Sequence, residues 1–191
     1  MNKITGKFCE LLPFSSQYIR DIYNIEIDLN RLTYFSENMK LISFEKYIDY
    51  FDKQLKNHYH IFFMVKKRST GEVIGYLYTY NYNPSNGYIY MSISSDENNN
   101  SLYAIAEAGI LFINYLFSRY SLRKIYAEVY GFNLKSRHIV ENTGFSLEGE
   151  LKKHRYYNGQ YHSLLTYALY KDFFLKQKKG RLYNQLEQKI K

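Results

Sequence analysis

Four polar residues in the second half of the chain have side chains suited to proton transfer or helix capping: Asn133, Ser136, Glu148 and His154. A hydroxyl can donate a proton, a carboxylate can accept one, and an unperturbed imidazole titrates at about pH 6.5. The Asn133 amide oxygen can also accept an N–H from the first turn of a following helix. These residue types allow acid–base chemistry if the fold brings them together.

The elements that must position the first three of these residues are predicted within residues 122–150, and His154 follows at the end of the last strand of that stretch. Ile125, Ala127 and Val129 alternate with polar or amphipathic neighbours, which is the period of a strand. A short helix follows, and Gly144 fits the left-handed position just past a helix end, where a Cβ would cost energy. The stretch therefore predicts a strand, a turn, a short helix and a second strand.

The same stretch resembles the signature of the GNAT superfamily, the acetyl-CoA-dependent N-acyltransferases. The matching residues are Asn133, Ser136, Glu141-Asn142-Thr143-Gly144-Phe145 and Leu147-Glu148-Gly149. A hairpin motif, Asn158-Gly159-Gln160-Tyr161 with Tyr167 beyond it, is most similar to the Rim-type (RimJ/RimL-like) branch, whose members acetylate the N-termini of ribosomal proteins. The resemblance covers residues 7–172.

The resemblance implies an α/β (α+β) fold of a single GNAT-type domain over residues 1–172. Its central, mixed and mostly antiparallel sheet would be flanked by helices, and residues 173–191 would add a basic C-terminal helical extension. The family sheet splays between two strands, here residues 88–95 and 122–130, where the cofactor enters. The implied activity is acetyl transfer by direct attack of an amine on acetyl-CoA, with no metal ion and no covalent intermediate.

Periodicity and turn signals predict the remaining elements. We expect strands at residues 7–13, 60–67, 73–82 and 88–95, helices at 17–27, 44–55 and 102–117, and a loose polar segment at 28–43. Residues 145–154 and 160–170 should form a last hairpin around the Asn158-Gly159 turn, since Asn-Gly favours the backbone twist that a tight hairpin requires.

By resemblance, the cofactor site would be built from the end of a central strand, a loop, the start of a helix and the Asn133 turn. Its residues would be Ile93, Ser95, Asn98, Asn99, Asn100, Ser101, Leu102, Tyr103, Ala104, Asn133 and Ser136. The family has Arg or Gln, Gly, and Gly or Ala where this chain has Asn100, Tyr103 and Ile105. Two interpretations stay open: a diverged loop that still binds coenzyme A through backbone N–H groups, or a lost cofactor site.

The resemblance also suggests catalytic roles. Ser136 is the candidate acid, because Val140 occupies the position at which many members carry a catalytic Tyr. His154 is the best candidate base and Glu148 a second, although an exposed histidine among cations is often only a surface residue. Ser163 stands where the Rim-type motif has Asp, and the basic, Tyr-rich chain favours an anionic or sugar-like amine over a protein N-terminus. A catalytically silent ligand- or partner-binding module is the alternative.

Composition narrows the function classes further. The 26 Lys and Arg residues outnumber 18 Asp and Glu residues, but they are scattered except near the C-terminus. Charge alone therefore does not indicate a nucleic-acid-binding protein, although RNA or ribosome association through the C-terminal helix stays open. Cys9 is the single cysteine, which excludes an intrachain disulfide and favours a reducing cytoplasm. The apolar runs are too short for a membrane span, and we expect a cytoplasmic monomer or homodimer.

Overall fold

Eight strands form one mixed sheet in a computed structural model that describes residues 3–27, 42–95 and 101–178. The strands are β1 (Ile4–Thr5), β2 (Cys9–Pro13), β3 (Ile61–Lys67), β4 (Val73–Asn83), β5 (Tyr88–Ser95), β6 (Lys124–Tyr130), β7 (Ser146–Tyr157) and β8 (Gln160–Tyr170). Their order in the sheet is β1-β2-β3-β4-β5-β6-β8-β7. β5 and β6 run parallel, with Tyr88 opposite Lys124 and Tyr90 opposite Tyr126. The β1–β2, β2–β3, β3–β4, β6–β8 and β7–β8 pairs are antiparallel.

Five α-helices accompany the sheet in the described part of the chain. They are α1 (Ile19–Glu26), α2 (Phe44–Asn57), α3 (Leu102–Arg119), α4 (Leu134–Asn142) and α5 (Lys171–Lys178). The predicted α/β fold, with a mixed and mostly antiparallel sheet flanked by helices, is confirmed. β5 has its predicted bounds, α2 and α3 each end two residues beyond the prediction, and the short β1 was not predicted.

Two predicted segments fall partly outside the described residues. Most of the loose polar segment lies at 28–41, and the C-terminal helix is described only as far as α5. In the described ranges no helix combines the length and apolar character needed to cross a membrane.

Contacts between residues group the chain into two units, Met1–Tyr82 with Met91–Tyr115 and Asn83–Tyr90 with Leu116–Lys191. In the first unit, α1 and α2 press their apolar faces onto one face of β3 and β4. The buried cluster consists of Ile22, Ile25, Tyr47, Phe51, Phe62, Met64 and Tyr76. Phe63 lies between two cluster residues in sequence and points to the opposite face, where its ring packs 5.9 Å from that of Phe112 on α3.

In the second unit, the predicted helix end and hairpin turn are both confirmed by left-handed backbone angles. Gly144 has φ +92° just past α4, and a Cβ there would come 2.5 Å from the Phe173 ring. Asn158 and Gly159 have φ 49° and 79°, as a tight turn between β7 and β8 requires. These turns fix where α4 ends and which residues of β7 and β8 face each other.

Candidate functional site

Glycine residues let β4, β5 and α3 approach each other closely in the first unit. A Cβ on Gly75 of β4 would lie 2.3 Å from the Ser94 carbonyl oxygen and 3.0 Å from the Ser95 Cα, so only glycine fits there. A Cβ on Gly109 of α3 would lie 3.1 Å from Ile93 Cδ1. Ile93 therefore packs toward α3, and the side chain of Ser94, its neighbour on β5, points to the opposite face.

The N-terminus of α3 carries a buried polar group that has no hydrogen-bond partner among the described residues. The Ile105 N–H donates to the Ser101 carbonyl over 2.9 Å, so that bond begins the helix. The N–H groups of residues 102–104 precede it and have no acceptor within a helix. Ser101 is only 4% exposed, and its Oγ has no hydrogen-bond partner among the described residues. This end of α3 is rich in donors and suits a negatively charged ligand.

Tyr103 is one of the three residues at which the predicted phosphate loop departs from the family pattern. Its ring lies beside that of Phe8, 6.5 Å between centroids, and is 51% exposed. Leu102 is exposed and Ala104 is buried. The predicted loop residues Asn98, Asn99 and Asn100 lie outside the described residues.

Asn133 is the helix cap that its sequence position predicts. Its Oδ1 accepts the backbone N–H of Ser136 over 3.0 Å, which satisfies a donor in the first turn of α4. The preceding turn is closed by the Asn133 N–H, which donates to the Tyr130 carbonyl over 2.9 Å. The half-buried Ser136 is thereby held one helical turn past the end of β6.

Glu148 forms a short ion pair in the second unit. Its Oε2 accepts from Lys124 Nζ over 2.6 Å and its Oε1 accepts from the Tyr170 hydroxyl. Burial alone would raise the pKa of Glu148, but these hydrogen bonds hold it below the ordinary value. The same pair raises the pKa of Lys124 to about 12, against the lowering effect of its burial. A carboxylate held in this way is a weak proton acceptor at neutral pH.

The strand register separates Glu148 from the other two predicted catalytic residues. Lys124 begins β6 and Tyr130 ends it. Glu148 lies between the Leu147–Tyr167 and Gly149–Thr166 pairs, which puts its backbone level with the middle of β6. Glu148 binds Lys124, whereas Asn133 follows Tyr130. His154 is exposed and precedes Arg155, which lies opposite His162 beyond the Tyr130–Leu164 pair. His154 and Ser136 therefore both lie past the Tyr130 end of β6, whereas the Glu148 carboxylate is directed away from them, toward Lys124.

A buried carboxylate that sequence reasoning did not single out lies in the first unit. Glu26 accepts from the Tyr47 hydroxyl over 2.8 Å and from the Tyr76 hydroxyl over 2.6 Å. Burial raises its pKa, and the two hydroxyl hydrogen bonds only partly oppose that shift. Its position in the helical repeat could have revealed it. Glu26 follows the buried Ile22 by four residues, so it lies on the apolar face of α1.

Glu107 of α3 anchors the N-terminal segment. Its carboxylate accepts the backbone N–H groups of Lys7, Phe8 and Cys9 at 2.7, 2.7 and 3.0 Å. Cys9 is fully buried, and that burial, with the nearby Glu107 charge, raises the pKa of its thiol. Cys9 is therefore a poor nucleophile. Among the described residues there is no group of three or more His, Cys, Asp or Glu that could hold a metal ion.

Comparison with known proteins gives one family match. The sequence profile described as "Acetyltransferase (GNAT) domain" matches residues 14–165. No curated protein sequence matches the chain.

Solved structures with this fold are numerous. A GCN5-related N-acetyltransferase from Brucella melitensis is 23% identical over 93% of this chain and 82% of its own, with a TM-score of 0.78. A spermidine N-acetyltransferase from Vibrio cholerae, solved with CoA and spermine, is 22% identical over 89% and 99%, with a TM-score of 0.76. RimL, a ribosomal L7/L12 alpha-N-protein acetyltransferase solved with coenzyme A, is 17% identical over 90% and 99%, also at 0.76. At these identities the likeness shows the fold alone.

Proposed function

The chain belongs to the acetyltransferase (GNAT) domain family, and we propose that it transfers an acetyl group from acetyl-CoA to a primary amine of a small molecule or a protein N-terminus. Family membership confirms the predicted enzyme class, an N-acetyltransferase with acetyl-CoA as its co-substrate. The observation that carries the proposal is the α3 N-terminus, where the buried Ser101 hydroxyl lacks a partner among the described residues. Orphaned donors at a helix start fit the anionic phosphates of coenzyme A.

The proposed co-substrate site keeps the predicted residues. The α3 start would bind phosphate through the N–H groups of residues 102–104 and the Ser101 hydroxyl, which do not depend on glycine. The position of the Tyr103 ring beside Phe8 supports this interpretation over a blocked site. Ile93 and Ser95 on β5 would contact coenzyme A in the first unit. Asn133, the N-cap of α4, and Ser136 stay proposed coenzyme A contacts on the strength of the sequence resemblance.

The proposed chemistry is direct attack, in which one C–N bond forms and the thioester C–S bond breaks. His154 would accept the proton that the ammonium group of the acceptor loses before attack. Ser136 would donate a proton to the departing thiolate and regain one from the nitrogen, which carries an extra proton after attack. Glu148 enters as a positioning residue, because its carboxylate holds Lys124 and Tyr170. The positions of His154 and Ser136, both past the Tyr130 end of β6 in sequence or in register, support this division of roles.

We also propose which class of amine accepts the acetyl group. The names of two structural neighbours give a polyamine and a ribosomal protein as acceptors, at comparable similarity, so the fold does not choose between such classes. The cations of β7 favour a small-molecule acceptor with an anionic group, such as an amino-sugar nucleotide, over the ribosomal-protein N-terminus of the Rim-type branch. We place the enzyme in the cytoplasm, as a monomer or homodimer.

Thiol release from acetyl-CoA tests the proposal when the full-length protein is given a panel of amines. The panel contains an amino sugar, an amino-sugar nucleotide, spermidine and a peptide with an unblocked N-terminus. We expect release with one class, a large loss in Ser136→Ala, and none in the matched control Ser146→Ala. If no amine supports release while acetyl-CoA still binds, the silent-module alternative is correct. Wild-type rates in Ser136→Ala would remove the proposed acid.

A further inference from the structure

The tip of the last hairpin, residues 151–163, combines cations and aromatic rings and contains no acidic residue. We call this segment the hairpin tip. Its side chains include Lys152, Lys153 and Arg155, two histidines and three tyrosines. Most of them are exposed or half-buried, so they do not belong to the core.

A bulge pushes the two lysines out of the ladder. Leu151 faces Leu164 and Arg155 faces His162, so β7 advances four residues where β8 advances two. Lys153 takes φ 52°, a left-handed conformation that a residue with a Cβ seldom adopts. Lys152 and Lys153 are therefore presented together as an exposed cationic turn.

A ring stack joins the hairpin tip to the turn between β6 and α4, which leads to Ser136. Tyr130 and Phe132 stack in parallel with centroids 5.5 Å apart, and Phe132 stacks on Tyr157 at 4.4 Å. Arg155 lies over the Tyr130 ring and donates to its hydroxyl over 3.2 Å. Because Phe132 directly precedes Asn133, the half-buried Tyr157 ring is held close to the turn that carries Ser136.

The charge pattern limits the kind of anion that fits this surface. Glu150 accepts from the Ser163 hydroxyl over 2.6 Å just below the hairpin tip, and Glu148 lies further along β7. A polyanion that followed the strand would meet these carboxylates, whereas a short anion would meet only the two lysines. A planar ring can stack on Tyr157, since aromatic side chains stack on any nucleobase.

We propose that the hairpin tip binds the nucleoside diphosphate group of the acceptor, with the diphosphate on Lys152 and Lys153 and the base on Tyr157. This inference rests on the proposed function and makes its acceptor an amino-sugar nucleotide. The diphosphate would anchor the substrate, and the sugar amine would extend toward Ser136 and His154.

The test is calorimetric titration of the CoA-saturated full-length protein with UDP, so that the nucleotide part of CoA does not compete. Uridine and pyrophosphate serve as ring-only and anion-only probes. We expect UDP to bind more tightly than either, and its affinity to fall as salt rises. The double variant Lys152→Gln/Lys153→Gln and the single variant Tyr157→Leu should each weaken it roughly tenfold or more.

Two matched controls keep the test independent of folding. Tyr156→Leu removes a more exposed tyrosine ring from the opposite face of β7, and Lys56→Gln removes an exposed cation of α2; neither should change the UDP affinity. The lysine double variant alters only exposed side chains, so it stays informative if Tyr157→Leu unfolds.

Three outcomes would overturn the inference. The first is no detectable UDP binding at millimolar concentration, and the second is equal UDP affinity in wild type and in the lysine double variant. The third is a uridine oligonucleotide that binds far more tightly than UDP and gains affinity with length, which would make the partner a nucleic acid. UDP binding without acetyl transfer to any amine would instead overturn the proposed function, while the proposed nucleotide site would still be supported.

Discussion

Tyrosine has opposite roles in two regions of this molecule. In the first unit, Tyr47 and Tyr76 are buried and donate their hydroxyl groups to the buried Glu26 carboxylate. At the hairpin tip, Tyr156 and Tyr161 are exposed, and the neighbouring charges are cations. The difference shows that a high tyrosine content is not itself a functional signal. What each ring does depends on its strand register and on the sign of the charge beside it.

The largest contrast is expected for truncation of one tyrosine in each region. Tyr47 is 1% exposed, so Tyr47→Ala should leave a cavity and lower the free energy of unfolding by about 3–5 kcal/mol. Tyr161 is 66% exposed, and Tyr161→Ala should change it by less than about 0.5 kcal/mol. Urea unfolding followed by circular dichroism measures both. Equal losses would refute the contrast.

The catalytic role of His154 predicts a loss of rate without a loss of stability. Removal of a general base lowers rates by about 10²–10⁴-fold, so His154→Gln should reduce kcat by at least about 100-fold. His154 is exposed, and the urea midpoint should stay unchanged. His138→Gln, an exposed histidine on α4, is the matched control. A His154→Gln enzyme with normal kcat would assign this histidine to the surface.

A smaller effect isolates the hydrogen bond to the buried carboxylate. Tyr76→Phe keeps the ring but removes the hydroxyl that Glu26 accepts over 2.6 Å. Hydrogen bonds to charged groups contribute about 1.5–3 kcal/mol, so a loss of about 2 kcal/mol in unfolding free energy is expected. Tyr156→Phe, on the exposed hairpin, should show none. If both variants unfold at the same urea concentration, the buried network contributes nothing.

The smallest effect concerns pH. Burial raises the pKa of Glu26 in the folded protein above its unfolded value of about 4.3. Its protonated form therefore stabilises the fold most below that value, and this contribution is lost as pH rises through the raised folded pKa. The stability difference between wild type and Glu26→Gln should shift against wild type as pH increases from about 4 upward. A difference that is constant with pH would place Glu26 at its ordinary pKa.

Sequence patterns predicted the elements better than they predicted the site. Alternation along residues 88–95 and the cap at Asn133 depend on local chemistry, and both match the structure. The role of Glu148 depends on which strand end faces Lys124, a long-range register that no local pattern encodes. Glu26 was missed for the same reason, since its burial depends on tyrosines contributed by α2 and β4.

The central claim is that this chain uses acetyl-CoA through the N-terminus of α3, and one calorimetric titration tests it most directly. Purified protein is titrated with acetyl-CoA, then with dephospho-CoA, and the titration is repeated on Ser101→Ala. We predict micromolar binding of acetyl-CoA to wild type. Binding to Ser101→Ala should be weaker, because the ligand loses its hydrogen bond with the buried Ser101 hydroxyl. Absence of heat and of any thermal shift at millimolar acetyl-CoA would contradict the account.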